Sequence, residues 1–211
     1  MIVDFWLCLV GFVLVVGGCL GPWVPHETAA LTVTGLELAR LARDAFPHIT
    51  REFFYFPFVA ASVLLGLLAG QSAGRAVRLI APLGAATVLL GTLLPFSVVE
   101  AARHALTSPA PFVLPPNSRG QLILVVVGAA LTLLAPLAHR LPRRPWGILI
   151  ALLALVGSVP ALYQFALLRP HIVALYDAPV GLGWGLVACV AGFVLLLFSG
   201  VRAVASPDRS G

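Results

Sequence analysis

Six runs of apolar residues, near 3–23, 53–70, 79–98, 121–138, 147–168 and 182–201, carry no acidic or basic residue near their middles. Each is about as long as a helix that crosses the hydrocarbon core of a bilayer, which needs about 17–25 residues. Strands of a membrane β-barrel would be about ten residues long and alternate in polarity, and that pattern is missing. A soluble domain carries about 25% charged residues for its polar skin. Here the share is 10%, with 60% hydrophobic residues and a mean hydropathy of +1.04, more apolar surface than one aqueous core hides. The expected fold class is therefore all-α: a polytopic membrane bundle of about six transmembrane helices, with residues 1–211 forming one domain.

All thirteen basic residues are arginine. Without lysine, Schiff-base chemistry is excluded. The net charge of +5 does not point to nucleic acid, because the arginines sit in short turns between apolar runs, where they act as orientation signals. With the N-terminus on the cytoplasmic side, that side carries seven arginines (75, 78, 140, 143, 144, 202 and 209) against Asp4 and Asp208. The external loops carry six arginines against six acids, so the whole net charge falls on one face. The expectation is a multi-pass protein of the cytoplasmic (plasma) membrane with both termini cytoplasmic. Trp23, Phe53, Phe54, Tyr55, Phe56, Phe58, Tyr176 and Trp184 gather at the expected external ends, and Trp6 and Trp146 at the cytoplasmic ends, as an anchoring belt. Val16-Gly17-Gly18-Cys19 loosely resembles a lipoprotein cleavage site, but Asp4 stands where a basic segment belongs, so the run reads as a retained first span.

The external loop over 24–52 is the most distinctive segment. Pro22 and Pro25 favour an extended exit from the first span, and Leu31-Thr32-Val33-Thr34 alternates like a short strand. Thr34-Gly35-Leu36-Glu37 has the form of a capping box. It predicts a helix over about 35–46 that stops before Pro47. Leu38, Leu41, Ala42, Ala45 and Phe46 share one face of it, and Glu37, Arg40, Arg43 and Asp44 the other. Such a helix lies at the membrane interface, or acts as a lid or docking surface. Trp23, His26, Glu37, Leu38, Arg40, Leu41, Phe46 and His48 are the candidate residues for that role.

A first span ending in Pro22-Trp23-Val24, followed by Thr32-Val33-Thr34-Gly35-Leu36-Glu37 before the second span, resembles a group of uncharacterised bacterial multi-pass membrane proteins. The resemblance covers residues 21–70. It implies a small membrane protein without an assigned activity, and no catalytic residue carries over.

Chemistry-bearing motifs are sparse. His26, His48, His104 and His171 map to the external side, but are spread over three different loops and lack HxH or HExxH spacing. Cys8, Cys19 and Cys189 form no CxxC pair and fall within apolar runs, against a disulfide framework. No acid lies at mid-membrane, where proton relays keep theirs. Glu52 and Glu100 sit at span ends beside Arg51 and Arg103, and no GxSxG or Walker loop is present. No catalytic residue, metal site or cofactor is expected.

Small residues recur every fourth position at Ser62, Gly66, Gly70 and Gly74, and in the pairs Gly17/Gly21 and Gly181/Gly185. That spacing lets helices approach closely, within the chain or across an interface with a partner. Pro82, Pro136 and Pro160 are expected to disturb their helices. Tyr163 and Gln164, with Thr87, Thr92 and Thr132, are candidates to line a cavity inside the bundle. The expected partners are the bilayer and either a membrane protein or a second copy. The first functional reading is a non-enzymatic accessory or assembly subunit. The alternative is a solute-binding or transport subunit that uses the external loop as a lid.

Overall fold

The computed structural model describes residues 2–25, 32–45, 49–72, 74–107, 114, 118–176 and 180–205. They are overwhelmingly helical. Helix α1 spans Ile2–Leu20. Strand β1, Pro22–Val24, pairs antiparallel with β2, Val33–Thr34, in a two-stranded ribbon with an irregular register. Helix α2 is Glu37–Ala45. A 3-10 turn, Arg51–Tyr55, leads into α3, Phe56–Gly70. Then come α4, Arg75–Leu93, and α5, Phe96–Thr107. Helix α6, Arg119–Leu134, continues as a 3-10 turn over Ala135–Arg140. Two long helices close the chain: α7, Arg143–Tyr176, and α8, Trp184–Ala205.

Among the described residues, five helical segments are long and apolar enough to cross a membrane: Arg51–Gly70, Arg75–Leu93, Arg119–Arg140, Arg143–Tyr176 and Trp184–Ala205. A sixth, shorter apolar stretch is Phe5–Leu20 within α1. Their order matches the six apolar runs, with two changes. The third run is not one helix to residue 98. It stops at Leu93, Leu94 turns extended (φ −64°, ψ 125°), and the chain resumes as α5 after Pro95. Proline supplies no amide donor and pushes its predecessor out of the helical region. The fifth run is longer than 147–168. Helix α7 continues through both Pro160 and Pro170 for 34 residues, about 51 Å at 1.5 Å per residue. Helix α4 likewise runs through Pro82, and Pro136 falls where α6 tightens into its 3-10 turn.

Helix α3 is the axis of the bundle. Its span is 78% buried, against 28–44% for the other four long segments. It touches α1, α4, α6 and α7, while α8 packs between α1 and α7. The outward faces are apolar: Trp6, Ile80, Ile123, Leu152 and Phe198 are all more than half exposed.

Glycine sets the tightest seams. A methyl built on Gly18 would lie 2.5 Å from the Cys189 amide nitrogen and 2.6 Å from the Gly185 carbonyl oxygen. One on Gly192 would lie 2.7 Å from the Gly11 carbonyl. The α1–α8 backbones are thus in contact at glycines seven apart on each helix, Gly11 and Gly18 facing Gly185 and Gly192. On α3, a methyl at Gly66 would meet the Thr132 carbonyl at 2.5 Å, and one at Gly70 the Pro136 carbonyl at 2.7 Å. Ser62, on the same helix, is buried and donates to the Phe58 carbonyl at 3.0 Å. The fourth member of that series departs from it: Gly74 is exposed, precedes α4, and has no neighbour closer than 3.6 Å. Of the Gly17/Gly21 pair, Gly21 is tight, a methyl there lying 2.6 Å from the Trp184 ring, but Gly17 has nothing within 4 Å, and Gly18 holds the packing position one turn earlier. One residue is a 100° rotation on a helix, so fourth-position counting started from the wrong glycine.

Candidate functional site

At the end of the bundle where α1 finishes, the ribbon and α2 fold over the helices. Trp23 anchors this cover. Its indole N–H donates to the Gly18 carbonyl at 2.9 Å, its ring meets Phe165 edge-on at 5.6 Å, and Gly35 passes directly over it. The Gly183 amide, in the turn before α8, donates to the Trp23 carbonyl at 2.9 Å. Helix α2 starts with a reciprocal cap. The Glu37 amide donates to Thr34 Oγ1 at 3.3 Å, and the Thr34 amide donates to Glu37 Oε2 at 2.9 Å. Each group satisfies an amide that the first helical turn leaves without a partner. Leu38, Ala39 and Ala42 are fully buried, Leu41 is half-buried, and Glu37 and Arg40 face outward.

Beside this cover, against the outward face of α2, lies a pocket of about 990 Å³. One wall is Thr34, Leu36, Glu37 and Arg40. The opposite wall is the α4–α5 break with Glu100, and Tyr55, Ser118 and Gln121 complete it. The break is held open by side chains from the start of α6. Gln121 Nε2 donates to the Leu93 carbonyl at 2.7 Å, one of the carbonyls that a helix end leaves free. The hydroxyls of Ser97 and Ser118 are 2.6 Å apart. Ligand sites occupy about 300–1,000 Å³ and combine apolar walls with a few converging polar groups. This pocket has that size, and it offers an arginine, two carboxylates, an amide and the hydroxyls of Thr34, Tyr55, Thr92, Ser97 and Ser118.

Below the pocket, Arg51 is buried and its Nε lies 3.2 Å from Glu52 Oε1. A methyl on Gly120 would come within 3.1 Å of the same carboxylate oxygen. Glu52 therefore stands at the N-terminus of α6, where the helix dipole favours a negative charge.

No family model matches the chain, and no curated protein or solved structure matches it either. The functional reading therefore rests on the geometry alone.

That geometry divides the residues singled out from sequence. Glu37 and Arg40 line the pocket. Trp23 and Leu38 do not belong to an interaction surface: both are buried beneath the ribbon and α2. The apolar segment after α1 folds back into the core instead of presenting itself. His26, Phe46 and His48 lie outside the described residues. Tyr163 and Gln164 do not share a cavity. Tyr163 is 61% exposed on the outer face of α7, and Gln164 points inward, its Oε1 buried without a hydrogen-bond partner among the described residues. Adjacent positions on a helix face directions 100° apart. Thr92 lines the large pocket beside α2, whereas Thr87 is exposed outside it and Thr132 is buried and bonded to the Gly128 carbonyl at 2.8 Å. Among the described residues, no group of three or more His, Cys, Asp or Glu side chains converges. Sequence reading missed Ser97, Ser118 and Gln121. Their signal was Pro95 inside an apolar run, which marks a helix end whose free carbonyls need donors.

Proposed function

We propose that this chain is a six-span membrane protein with both termini cytoplasmic, and that it binds a small polar solute on its external face in the pocket beside α2. The membrane reading is supported by the apolar helices, by outward faces of Ile, Leu, Val, Phe and Trp, and by the arginine excess on one side. The observation that carries the solute reading is the pocket of about 990 Å³ walled by Glu37 and Arg40 on one side and Glu100 with the α4–α5 break on the other. Both signs of charge stand around it beside neutral donors. The chemistry that fits is a zwitterionic or multiply hydroxylated solute, and no bond-breaking machinery is assigned to it. Helix α2 is the movable cover in this reading: nine residues, tied down by one buried stripe and entered by a capped turn.

Native mass spectrometry after gentle detergent extraction tests this reading. A small molecule that co-purifies, and is lost in Arg40→Ala or Gln121→Leu, supports it. A preparation with an empty pocket, unresponsive to added zwitterionic and hydroxylated solutes, refutes it.

A second reading, an accessory subunit that docks on a membrane partner or a second copy, draws on α5. This helix buries only Val98 among its side chains, and exposes Phe96 at 78% and Leu106 at 88%. A protein that co-purifies stoichiometrically, and is released by Phe96→Ser with Leu106→Ser, favours it over the first.

A further inference from the structure

The pocket beside α2 has two unlike parts. Glu37, Arg40 and Glu100 supply charge of both signs. Much of the remaining wall is apolar and comes from the end of α4 and the start of α5: Leu90, Gly91, Leu94, Phe96 and Val99. Phe96 is 78% exposed, and Leu90, Gly91 and Val99 are exposed beside it. Apolar surface left in water costs about 25 cal/mol per Å². A free polar solute would cover the charged part and leave that cost standing.

The apolar wall continues down α4, away from the pocket. Steps of three and four residues keep to one face of a helix. Counted back from Leu94, they give Leu90, Thr87, Leu83 and Ile80. Leu83 and Ile80 are both more than half exposed. Thr87 spends its hydroxyl proton on its own helix, donating to the Leu83 carbonyl at 2.8 Å. Gly84 and Gly91 lie on the same face, and a methyl on either would meet nothing within 4 Å. From Ile80 to Leu90 this open face is about 15 Å long at 1.5 Å per residue. One surface thus joins a charged recess at the end of the bundle to an apolar track along a helix flank. An amphiphile has that shape: a charged head and an apolar chain.

We propose that the ligand of this pocket is the head of a zwitterionic aminophospholipid of the external leaflet, with its acyl chain lying on the Ile80–Leu94 face of α4. The inference rests on the solute reading of the same pocket and narrows it from a free molecule to a lipid. The head chemistry follows from the charges. Arg40 matches the phosphodiester oxygens, which a guanidinium binds with two parallel N–H bonds. Glu37 and Glu100 match the ammonium group. Glu37 Oε2 already accepts from the Thr34 amide at 2.9 Å, and a carboxylate has lone pairs for further donors. An anionic headgroup without an amine would set its charge against two carboxylates and is disfavoured by that repulsion.

The test uses the full chain, stripped of lipid in tetraethylene glycol monooctyl ether and followed by native mass spectrometry. Dioctanoyl phosphatidylethanolamine, dioctanoyl phosphatidylglycerol and the tail-less head, glycerophosphoethanolamine, are titrated separately. Phosphatidylethanolamine should bind about tenfold tighter than phosphatidylglycerol, and Arg40→Gln should weaken it about tenfold, the worth of one charged hydrogen bond. Arg103→Gln, exposed on α5 and outside the lining, should change it little. Gly91→Leu fills the track where the chain leaves the pocket. It should weaken phosphatidylethanolamine severalfold and leave glycerophosphoethanolamine as it was. If glycerophosphoethanolamine binds as tightly as the lipid, and Gly91→Leu affects neither, the pocket remains a solute site and the lipid is overturned. Equal binding of the two lipids overturns the head chemistry. Phosphatidylethanolamine binding that ignores both Arg40→Gln and Gly91→Leu means lipid coating the surface elsewhere, and refutes the site. No binding of any of the three overturns the inference. The solute reading falls with it only when free zwitterionic and hydroxylated solutes also leave the pocket empty. If Arg40→Gln fails to fold, Gly91→Leu decides alone.

Discussion

Alanine at Gly18 and alanine at Gly17 should have opposite effects on stability, although the two residues are neighbours on one helix. At Gly18 the added methyl would lie 2.5 Å from the Cys189 nitrogen and 2.6 Å from the Gly185 carbonyl, both backbone atoms that cannot swing aside. Ordinary contact begins near 3.4 Å, so α8 must retreat by about 1 Å. A gap of that size forfeits about a quarter to a half of the dispersion well at each neighbouring contact, and forcing a methyl into a packed seam costs about 1–3 kcal/mol. At Gly17 the methyl meets nothing within 4 Å. Both substitutions gain about 1 kcal/mol of helix propensity. That common gain cancels in the comparison, so Gly17→Ala should be more stable than Gly18→Ala by about 1–3 kcal/mol. The assay is reversible unfolding in mixed dodecyl maltoside and dodecyl sulfate micelles, followed by circular dichroism. Gly17→Ala should match or exceed the native chain, and Gly18→Ala should fall below it. Equal destabilisation by both, or a Gly18→Ala chain as stable as the Gly17→Ala chain, would refute the α1–α8 seam described here.

Three further outcomes are expected. Thr34→Ala removes one half of the α2 cap and should cost about 1 kcal/mol of local stability, read as faster hydrogen exchange at the first amides of α2 with the exchange of α3 unchanged. Gln121→Leu leaves the buried side of the α4–α5 break without its donor. It should lower overall stability by about 1–3 kcal/mol in the same micelle titration, and unaltered stability would show that the Leu93 carbonyl finds another partner. For orientation, His104→Cys and Arg75→Cys introduce exposed thiols at opposite ends of the bundle, over a background of three buried native cysteines. An impermeant maleimide applied to intact cells should label the first and not the second, and the reverse pattern overturns the topology. Ser118 is a poor reporter for that end, because it is buried against Ser97.

What could be read from the sequence follows from where water is. Six apolar runs became apolar helices because their length and lack of charge leave few alternatives. Helix α2 is the one element whose faces were legible in advance: Leu38 and Ala42 went in, and Glu37 and Arg40 stayed out. It sits at an end of the bundle, where an aqueous side and an apolar side differ, so polarity reports direction. Along the long helices that contrast vanishes. If the helices cross a membrane, their outer surroundings are as apolar as leucine, and Leu64 at the centre and Leu152 at the rim are the same residue for opposite burial. Size is then the remaining cue, and it needs the rotation of the helix to be known to within one residue. Counting in fours placed Gly66 and Gly70 at positions that prove tight, yet chose Gly17 over Gly18. It also paired Tyr163 with Gln164, which the helix turns to different sides. The pocket was hidden for a related reason. Its polar groups are not a motif. They are the donors that a proline-broken helix end requires, contributed by Ser118 and Gln121 more than twenty residues along the chain. The general rule for such a chain is that breaks, more than spans, point to sites. In this chain the proline near the end of the third apolar run frees a carbonyl that recruits Gln121 from a neighbouring helix, and the break it leaves is one wall of the pocket.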